Sequence, residues 1–329
     1  MIKVFVSLLP VFIFLLGLVL LDSYKLIKPV SIILTVLVGC LIAVLCYFCN
    51  RWLVDIFTVY KNFGAPVLEE IAKATFIIYL IKSNKVGFIV DAAIYGFAIG
   101  SGFALIENIY YLQIIGSSNI FIWVIRGFGT AVMHGSTTAI FAIISKAIVD
   151  RKSNDNLLYF VPGFLFATLI HSAFNQFISQ PIVATILQLL VLPIVVVLVY
   201  DRSERSLKSW MELGFETNIN LIKIIHSDEI SKTKIGKYLY SLKNKFPSTV
   251  VSDILCFLTI YNELSISAKG VLMMREAGFN SPISTDIKEK FNELKYLEKS
   301  IGPTGKLALS TILKINKQDL WQLYFLNKK

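Results

Sequence analysis

PVSIILTVLVGCLIAVLCYFCN, residues 29–50, runs for 22 positions without a charged side chain. As an α-helix this stretch is about 33 Å long at about 1.5 Å per residue, which matches the roughly 30 Å hydrocarbon core of a bilayer. The six other long apolar stretches are residues 4–21, 63–81, 86–112, 120–146, 157–178 and 182–200. The sequence therefore predicts an all-α, polytopic transmembrane helix bundle of about seven spans.

The composition excludes an ordinary soluble protein. Only 16% of the 329 residues are charged and 55% are hydrophobic, whereas a typical soluble domain has roughly 25% charged residues. The charge is also unevenly distributed: residues 1–200 contain 12 Lys and Arg and 8 Asp and Glu, and the shorter remainder contains 20 and 14. We therefore expect a transmembrane domain over residues 1–203 and a small helical C-terminal domain over residues 204–329, whose role the sequence does not indicate.

The Lys and Arg residues near the ends of the spans predict the orientation of the bundle. They are concentrated in alternate connections, which lie on one side of the membrane and are expected in the cytoplasm. These residues are Lys25, Lys28, Lys82, Lys85, Lys146, Arg151, Lys152, Arg202, Arg205 and Lys208. The prediction is a multi-pass cell-membrane protein with an extracytoplasmic N-terminus and a cytoplasmic C-terminal domain.

Charged residues and histidines occur in four consecutive spans. Each charged residue at the centre of a span costs roughly 2.5–3.5 kcal/mol on insertion scales, so such residues usually have a function. The residues are Glu69, Glu70 and Lys73 in the third span, Asp91, Glu107 and Asn108 in the fourth, Arg126 and His134 in the fifth, and His171 and Asn175 in the sixth. We interpret Asp91 and Arg126 as structural, and we expect the first, second and seventh spans, which have essentially no such residues, outside this polar core. The three- and four-residue spacings allow Lys73 to form an ion pair with Glu70 or Glu69. Counting residues from the span ends places Glu69, Glu107 and His171 about 7–11 Å below the outer surface and His134 about 20 Å below it. We expect these groups to converge in the outer half of the membrane.

Two carboxylates, two imidazoles and an amide suit the activation of water. A glutamate can accept a proton from water, and His and Asn can donate hydrogen bonds to a developing oxyanion. Alternatively, Glu107, His134 and His171 hold a divalent metal such as zinc, with Glu69 or Glu70 as the base. The residues alone leave both possibilities open.

The same residues resemble the motifs of a known family. The motifs are E-E-x-x-K at residues 69–73, F-x-x-x-E-N at residues 103–108, a His-led motif at residues 134–138 and H-x-x-x-N at residues 171–175. In this order, on four successive spans, they resemble the PrsW family of intramembrane proteases over roughly residues 60–180. That family is distantly similar to the type II CAAX prenyl endopeptidases and the Abi group. The CAAX enzymes have His where this chain has Glu107, so their site does not transfer directly.

The resemblance implies a peptidase that cuts a membrane-anchored protein near the extracytoplasmic side. The implied partners are the lipid bilayer and a single-span substrate such as an anti-sigma factor, cut in the first step of regulated proteolysis, and no nucleic acid. The family has been described as metal-dependent and as glutamic-type, so the implied cofactor is a divalent metal such as zinc or none. The implied roles are base for Glu69 or Glu70, oxyanion stabilisation for His171 and Asn175, and water positioning or metal binding for Glu107 and His134.

Two other functions are compatible with the pattern. A proton- or ion-coupled transporter also uses intramembrane Glu and His residues. However, the inner half of these spans is poor in polar groups, and we see no internal repeat. A CAAX-type protease that processes prenyl-proteins or peptides is the second alternative.

Overall fold

The computed structural model describes residues 2–20, 26–54, 64–114, 119–152, 156–175, 181–227, 229–279, 286–313 and 317–327. Within these ranges the chain forms eleven α-helices, two short 3-10 helices and no strand. The α-helices are α1 Ile2–Leu20, α2 Pro29–Val54, α3 Ala65–Lys82, α4 Ile89–Ile114, α5 Ile120–Lys152, α6 Val161–Asn175, α7 Pro181–Ile225, α8 Lys234–Leu242, α9 Ser248–Glu276, α10 Ile287–Ile312 and α11 Lys317–Asn327. This confirms the predicted all-α architecture.

The chain divides into two compact units, Met1–Glu204 and Arg205–Lys329. Among the described residues, seven helical segments are long and apolar enough to cross a membrane. They are α1, α2, α4, α5, α6 with the 3-10 helix Leu157–Phe160 that precedes it, α7 and α9. The protein is therefore a multi-pass membrane protein. Residues 176–178, the predicted end of the sixth span, lie outside the described ranges.

Helix α3 is not among these seven segments, although the sequence predicted a span there. The helix is present over Ala65–Lys82, with a proline in its first turn, a position where the missing N–H costs no hydrogen bond. It packs against α2, α4, α5 and α6 in the first unit. Its apolar character is reduced by Glu69, Glu70 and Lys73, which are the residues that form the polar site described below.

Helix α9 has the length and composition of a span, although we predicted no span after residue 200. Its side chains Ile254, Leu258, Leu264 and Leu272 are completely buried, and the helix packs against α8, α10 and α11. The apolar composition of α9 is therefore accounted for by its place in the core of the second unit.

Helices α4 and α5 approach each other closely through glycines. A Cβ atom at Gly100 would overlap the carbonyl oxygen of His134, and one at Gly96 would lie 2.6 Å from the carbonyl oxygen of Thr138. Gly96 and Gly100 have the G-x-x-x-G spacing, which allows two helix backbones to approach closely. The contact brings the backbone that carries His134 against α4, the helix that carries Glu107.

Candidate active site

Four helices place acids and imidazoles in one network inside the first unit. Glu69 and Glu70 come from α3, Glu107 from α4, His134 from α5 and His171 from α6. The rings of the two histidines are 4.8 Å apart between centroids and nearly perpendicular. The structure thus brings together five of the six residues that the sequence singled out.

Glu70 is the centre of this network. One oxygen, Oε1, accepts hydrogen bonds from Lys73 Nζ at 2.5 Å, His171 Nδ1 at 2.8 Å and Thr137 Oγ1 at 3.3 Å. The residue is only 2% exposed. A carboxylate this buried and this strongly bound is suited to orienting its neighbours, because accepting a proton from water would require breaking these contacts.

His134 has a partner on each ring nitrogen. Its Nδ1 lies 3.2 Å from Lys73 Nζ, and its Nε2 lies 2.5 Å from Glu107 Oε2. Because an ammonium group has no lone pair, Nδ1 is the acceptor, and the hydrogen of the neutral ring lies on Nε2 and is donated to Glu107. The aromatic ring of Phe103 packs against both His134 and Lys73, with centroid distances of 4.7 and 4.9 Å.

His171 and Glu69 face each other across the accessible part of the site. Because His171 donates its Nδ1 hydrogen to Glu70, its Nε2 carries a lone pair, and this atom lies 3.7 Å from Glu69 Oε2. Two electron-rich atoms that face each other in this way are held together best by a cation or a water molecule between them. Adjacent ligand atoms of a tetrahedral zinc ion are about 3.3 Å apart when the bonds are about 2.0 Å long, so the observed separation is close to that of a metal site.

Glu69, His134 and His171 form the group whose chemistry fits a metal ion. Their nearest ligand atoms all lie within 4.8 Å of one another, and one carboxylate with two imidazoles is a common zinc ligand set. This group differs from the predicted set of Glu107, His134 and His171, because Glu107 is engaged with His134 Nε2 instead. His134 can ligate a metal only if Lys73 or Glu107 releases one of its nitrogens.

One further charged residue, Arg126, lies with Glu107 and Glu69 at the partly exposed side of the network. The side chains of Glu107, Arg126 and Glu69 are 27%, 25% and 15% exposed, whereas both histidines are 1% exposed. The guanidinium of Arg126 lies over the ring of Tyr111, and its Nη2 is 3.8 Å from Glu107 Oε1. We had interpreted Arg126 as structural, and the signal that would have placed it here is its position two helical turns before His134.

Asn175 is the predicted residue that the structure leaves outside the network. It is the last residue of α6 and is exposed, one turn beyond His171. None of the contacts among the described residues joins it to the cluster. His134, predicted to lie about 20 Å below the outer surface, contacts Glu107, predicted at about 7–11 Å, with 2.5 Å between Nε2 and Oε2. Helix α5 has 33 residues, about 50 Å, so counting from its first residue does not give a depth in the membrane.

Asn50 of α2 was missed by the sequence argument. Its side-chain Nδ2 donates a hydrogen bond of 2.9 Å to Glu69 Oε1. The sequence predicts the second span outside the polar core because residues 29–50 contain no charged side chain. A neutral amide gives no comparable signal, because most such residues in spans only join helices.

A cluster of acids and imidazoles within a bundle of apolar helices is the arrangement that an intramembrane hydrolase needs to activate water. The model of one family, described as PrsW family intramembrane metalloprotease, matches residues 28–200, more than half of the chain. The chain therefore belongs to the PrsW family and is a peptidase of the membrane, as the motifs indicated. No curated protein and no solved structure matches it.

Proposed function

We propose that this peptidase hydrolyses a peptide bond of a single-span membrane protein near the extracytoplasmic face, using water activated by the Glu69–His171 pair. The observation that carries the proposal is the 3.7 Å separation of Glu69 Oε2 and His171 Nε2 beside two further charged, partly exposed side chains. Such a separation leaves both atoms able to contact one small ligand. The hydrogen bonds also distinguish Glu69 from Glu70, because one oxygen of Glu70 already accepts hydrogen bonds from three donors.

Each group of the network has a role in this reaction. Glu69 is the accessible carboxylate that accepts the proton of the attacking water. Glu70 holds the His171 ring with its Nε2 directed at the reaction site, and Lys73 balances the charge of Glu70. Arg126, a fixed cation beside Glu107, is placed to stabilise negative charge that develops on the peptide oxygen.

In a metal-dependent form of the reaction, Glu69, His134 and His171 would hold a divalent ion such as zinc. When bound, such an ion lowers the pKa of water and polarises a carbonyl group. Glu107 is then the accessible carboxylate that remains to accept a proton, since Glu69 would serve as a ligand. His171 needs no rearrangement to join such a site, because its Nδ1–H is already bound by a carboxylate, as is usual for ligating histidines.

The proposed substrate rests on the family resemblance, and the proposed side of cleavage rests on the charge distribution along the chain. The charge distribution predicts that the span ends nearest Glu69, Glu107 and His171 face the outside. An anti-sigma factor with one transmembrane helix is the substrate class that the family resemblance implies. Cleavage of such a protein near its extracytoplasmic side would be the first step of regulated proteolysis.

The proposal is tested by replacing Glu69 and His171 in the full chain. We expect Glu69→Gln and His171→Ala each to abolish cleavage of a co-expressed single-span substrate while the protein still inserts. Glu204→Gln, which removes an exposed carboxylate at the end of the first unit, is the matched control and should cleave normally. Full cleavage by either site variant would contradict the proposal.

Treatment with a metal chelator distinguishes the metal-dependent reaction from the reaction in which Glu69 acts without an ion. If the ion is part of the site, purified enzyme loses cleavage on chelation and regains it with zinc, and Glu107→Gln is inactive even when zinc is saturating. If Glu69 acts without an ion, chelation leaves the rate unchanged. Cleavage of the same substrate before and after chelation is the measurement.

A further inference from the structure

Helix α2 contributes one polar side chain to the site from outside the four helices that carry the motifs. Asn50 lies near the C-terminal end of α2 and is partly buried, and its amide donates a 2.9 Å hydrogen bond to Glu69 Oε1. The Nδ2 group of an amide can only donate a hydrogen bond, and an ionised carboxylate can only accept one, so the two groups are complementary. The contact spans two helices and 19 residues of sequence.

The two oxygens of Glu69 consequently have different surroundings. Oε1 is held by Asn50, and Oε2 faces Nε2 of His171 at 3.7 Å. A carboxylate attached to a flexible Glu side chain rotates about its terminal bond unless one oxygen is fixed. The Asn50 hydrogen bond fixes this rotation in the orientation that points Oε2 at His171.

We propose that Asn50 is a positioning residue that keeps the Glu69 carboxylate in its working orientation. The inference rests on the proposed function, because it assigns Asn50 a purpose only through Glu69. Residues that hydrogen-bond a metal ligand or catalytic carboxylate usually contribute 10- to 100-fold in affinity or activity, by fixing orientation. A contact that merely joined α2 to α3 would affect stability and leave zinc affinity and turnover unchanged.

The test compares Asn50→Leu with Thr35→Val in the purified full chain. Leu is close in size to Asn and removes the donor without leaving a polar group in an apolar helix. Thr35 lies in the same helix and, within the described part of the chain, donates its hydrogen bond to the backbone carbonyl of Ser31, at 2.7 Å, so Thr35→Val removes one hydrogen bond away from the site. Both variants are reconstituted in lipid nanodiscs and their thermal unfolding is recorded.

Two quantities are measured for each variant. Zinc affinity is obtained by competition with a fluorescent chelator, using zinc alone. The kcat and KM are obtained with a quenched fluorescent single-span peptide that the wild-type chain cleaves. For Asn50→Leu we expect a 10- to 100-fold lower kcat with KM within twofold, and a similar loss of zinc affinity; for Thr35→Val we expect wild-type values.

The role of Asn50 is overturned if Asn50→Leu matches Thr35→Val in kcat and zinc affinity, or changes KM alone. Glu69→Gln in the same assays distinguishes this result from failure of the proposed function. If Glu69→Gln is inactive while Asn50→Leu is normal, only the positioning role is wrong. If Glu69→Gln cleaves at the wild-type rate, the proposed function and the positioning role both fail. If the wild-type chain binds no zinc, the role of Asn50 is judged from the kcat and KM of Asn50→Leu and Thr35→Val alone.

Discussion

Lys73 links the two halves of the active site through a single ammonium group. It is completely buried, bonds Glu70 of its own helix and contacts His134 of α5. The sequence predicted an ion pair with one of the adjacent glutamates from the three- and four-residue spacings. The structure adds that the same ammonium determines which nitrogen of His134 carries the hydrogen.

Replacing Lys73 tests how far the site depends on this pair. In Lys73→Met the Glu70 carboxylate loses its buried counter-ion, and we expect the free energy of unfolding to fall by about 3–5 kcal/mol. The double variant Lys73→Met with Glu70→Gln should recover part of that loss, because no unpaired charge then remains. Unfolding of the purified protein in mixed micelles measures both.

The C-terminal unit provides a matched control for Lys73. Lys232 and Glu229 form a pair of the same type and spacing at 2.7 Å, but their side chains are 74% and 72% exposed. Lys232→Met should change stability by less than about 1 kcal/mol. If Lys73→Met and Lys232→Met lower the free energy of unfolding equally, burial of the Glu70–Lys73 pair does not increase its contribution to stability.

At the same scale, the sequence predicted which helices carry the site but not how each side chain is used. Ionisable groups in apolar spans are costly, so they identify α3, α4, α5 and α6 without any coordinates. Glu69 and Glu70 are separated by about 100° on their helix, and which of them faces the accessible side depends on the rotation of α3. Asn50 carries no charge, so only the structure reveals its contact.

Among the helices, the α4–α5 contact is the one on which the site geometry depends most directly. Gly100 lies against the backbone of His134, and a Cβ atom added at Gly100 would lie 2.7 Å from the Cα of Gly135. We expect Gly100→Ala to push the helices apart, lower stability by about 1–3 kcal/mol and reduce cleavage, because His134 and Glu107 are moved relative to each other. Thermal unfolding and the cleavage rate are the measurements.

Gly17→Ala is the control for this substitution. A Cβ atom at Gly17 of α1 would meet nothing within 4 Å, and alanine in a helix interior is favoured over glycine by roughly 0.5–1 kcal/mol. The variant should be as stable as the wild-type protein or slightly more so, with normal cleavage. A similar loss in both glycine variants would mean that helix contact is not the cause.

Hydropathy identified most of the membrane helices and was misleading for two. Helix α3 belongs to the first unit but has too many charged residues to be identified as a span, because it carries Glu69, Glu70 and Lys73 of the active site. Helix α9 is apolar because it forms the core of the second unit. In both cases the local composition reflects what surrounds the helix, and lipid is only one of the possible surroundings.

For the whole molecule, the predicted orientation is tested by cysteine labelling. The four native cysteines are replaced, and a single cysteine is introduced at Asn119, which is exposed before α5, or at Tyr240, which is 71% exposed in the second unit. With the N-terminus outside, a membrane-impermeant maleimide should label Asn119→Cys in intact cells. Tyr240→Cys should react only after the membrane is opened, and the reverse pattern would invert the predicted topology.

The three hydrogen bonds to one oxygen of Glu70 have a consequence for genetic screens. Both imidazoles depend on this carboxylate, His171 directly and His134 through Lys73. Random mutagenesis should therefore recover inactive alleles at Glu70 and Lys73 as often as at Glu69, and these alleles should be accompanied by reduced protein abundance. Alleles that combine normal abundance with lost cleavage should concentrate at the partly exposed positions, Glu69 and Glu107.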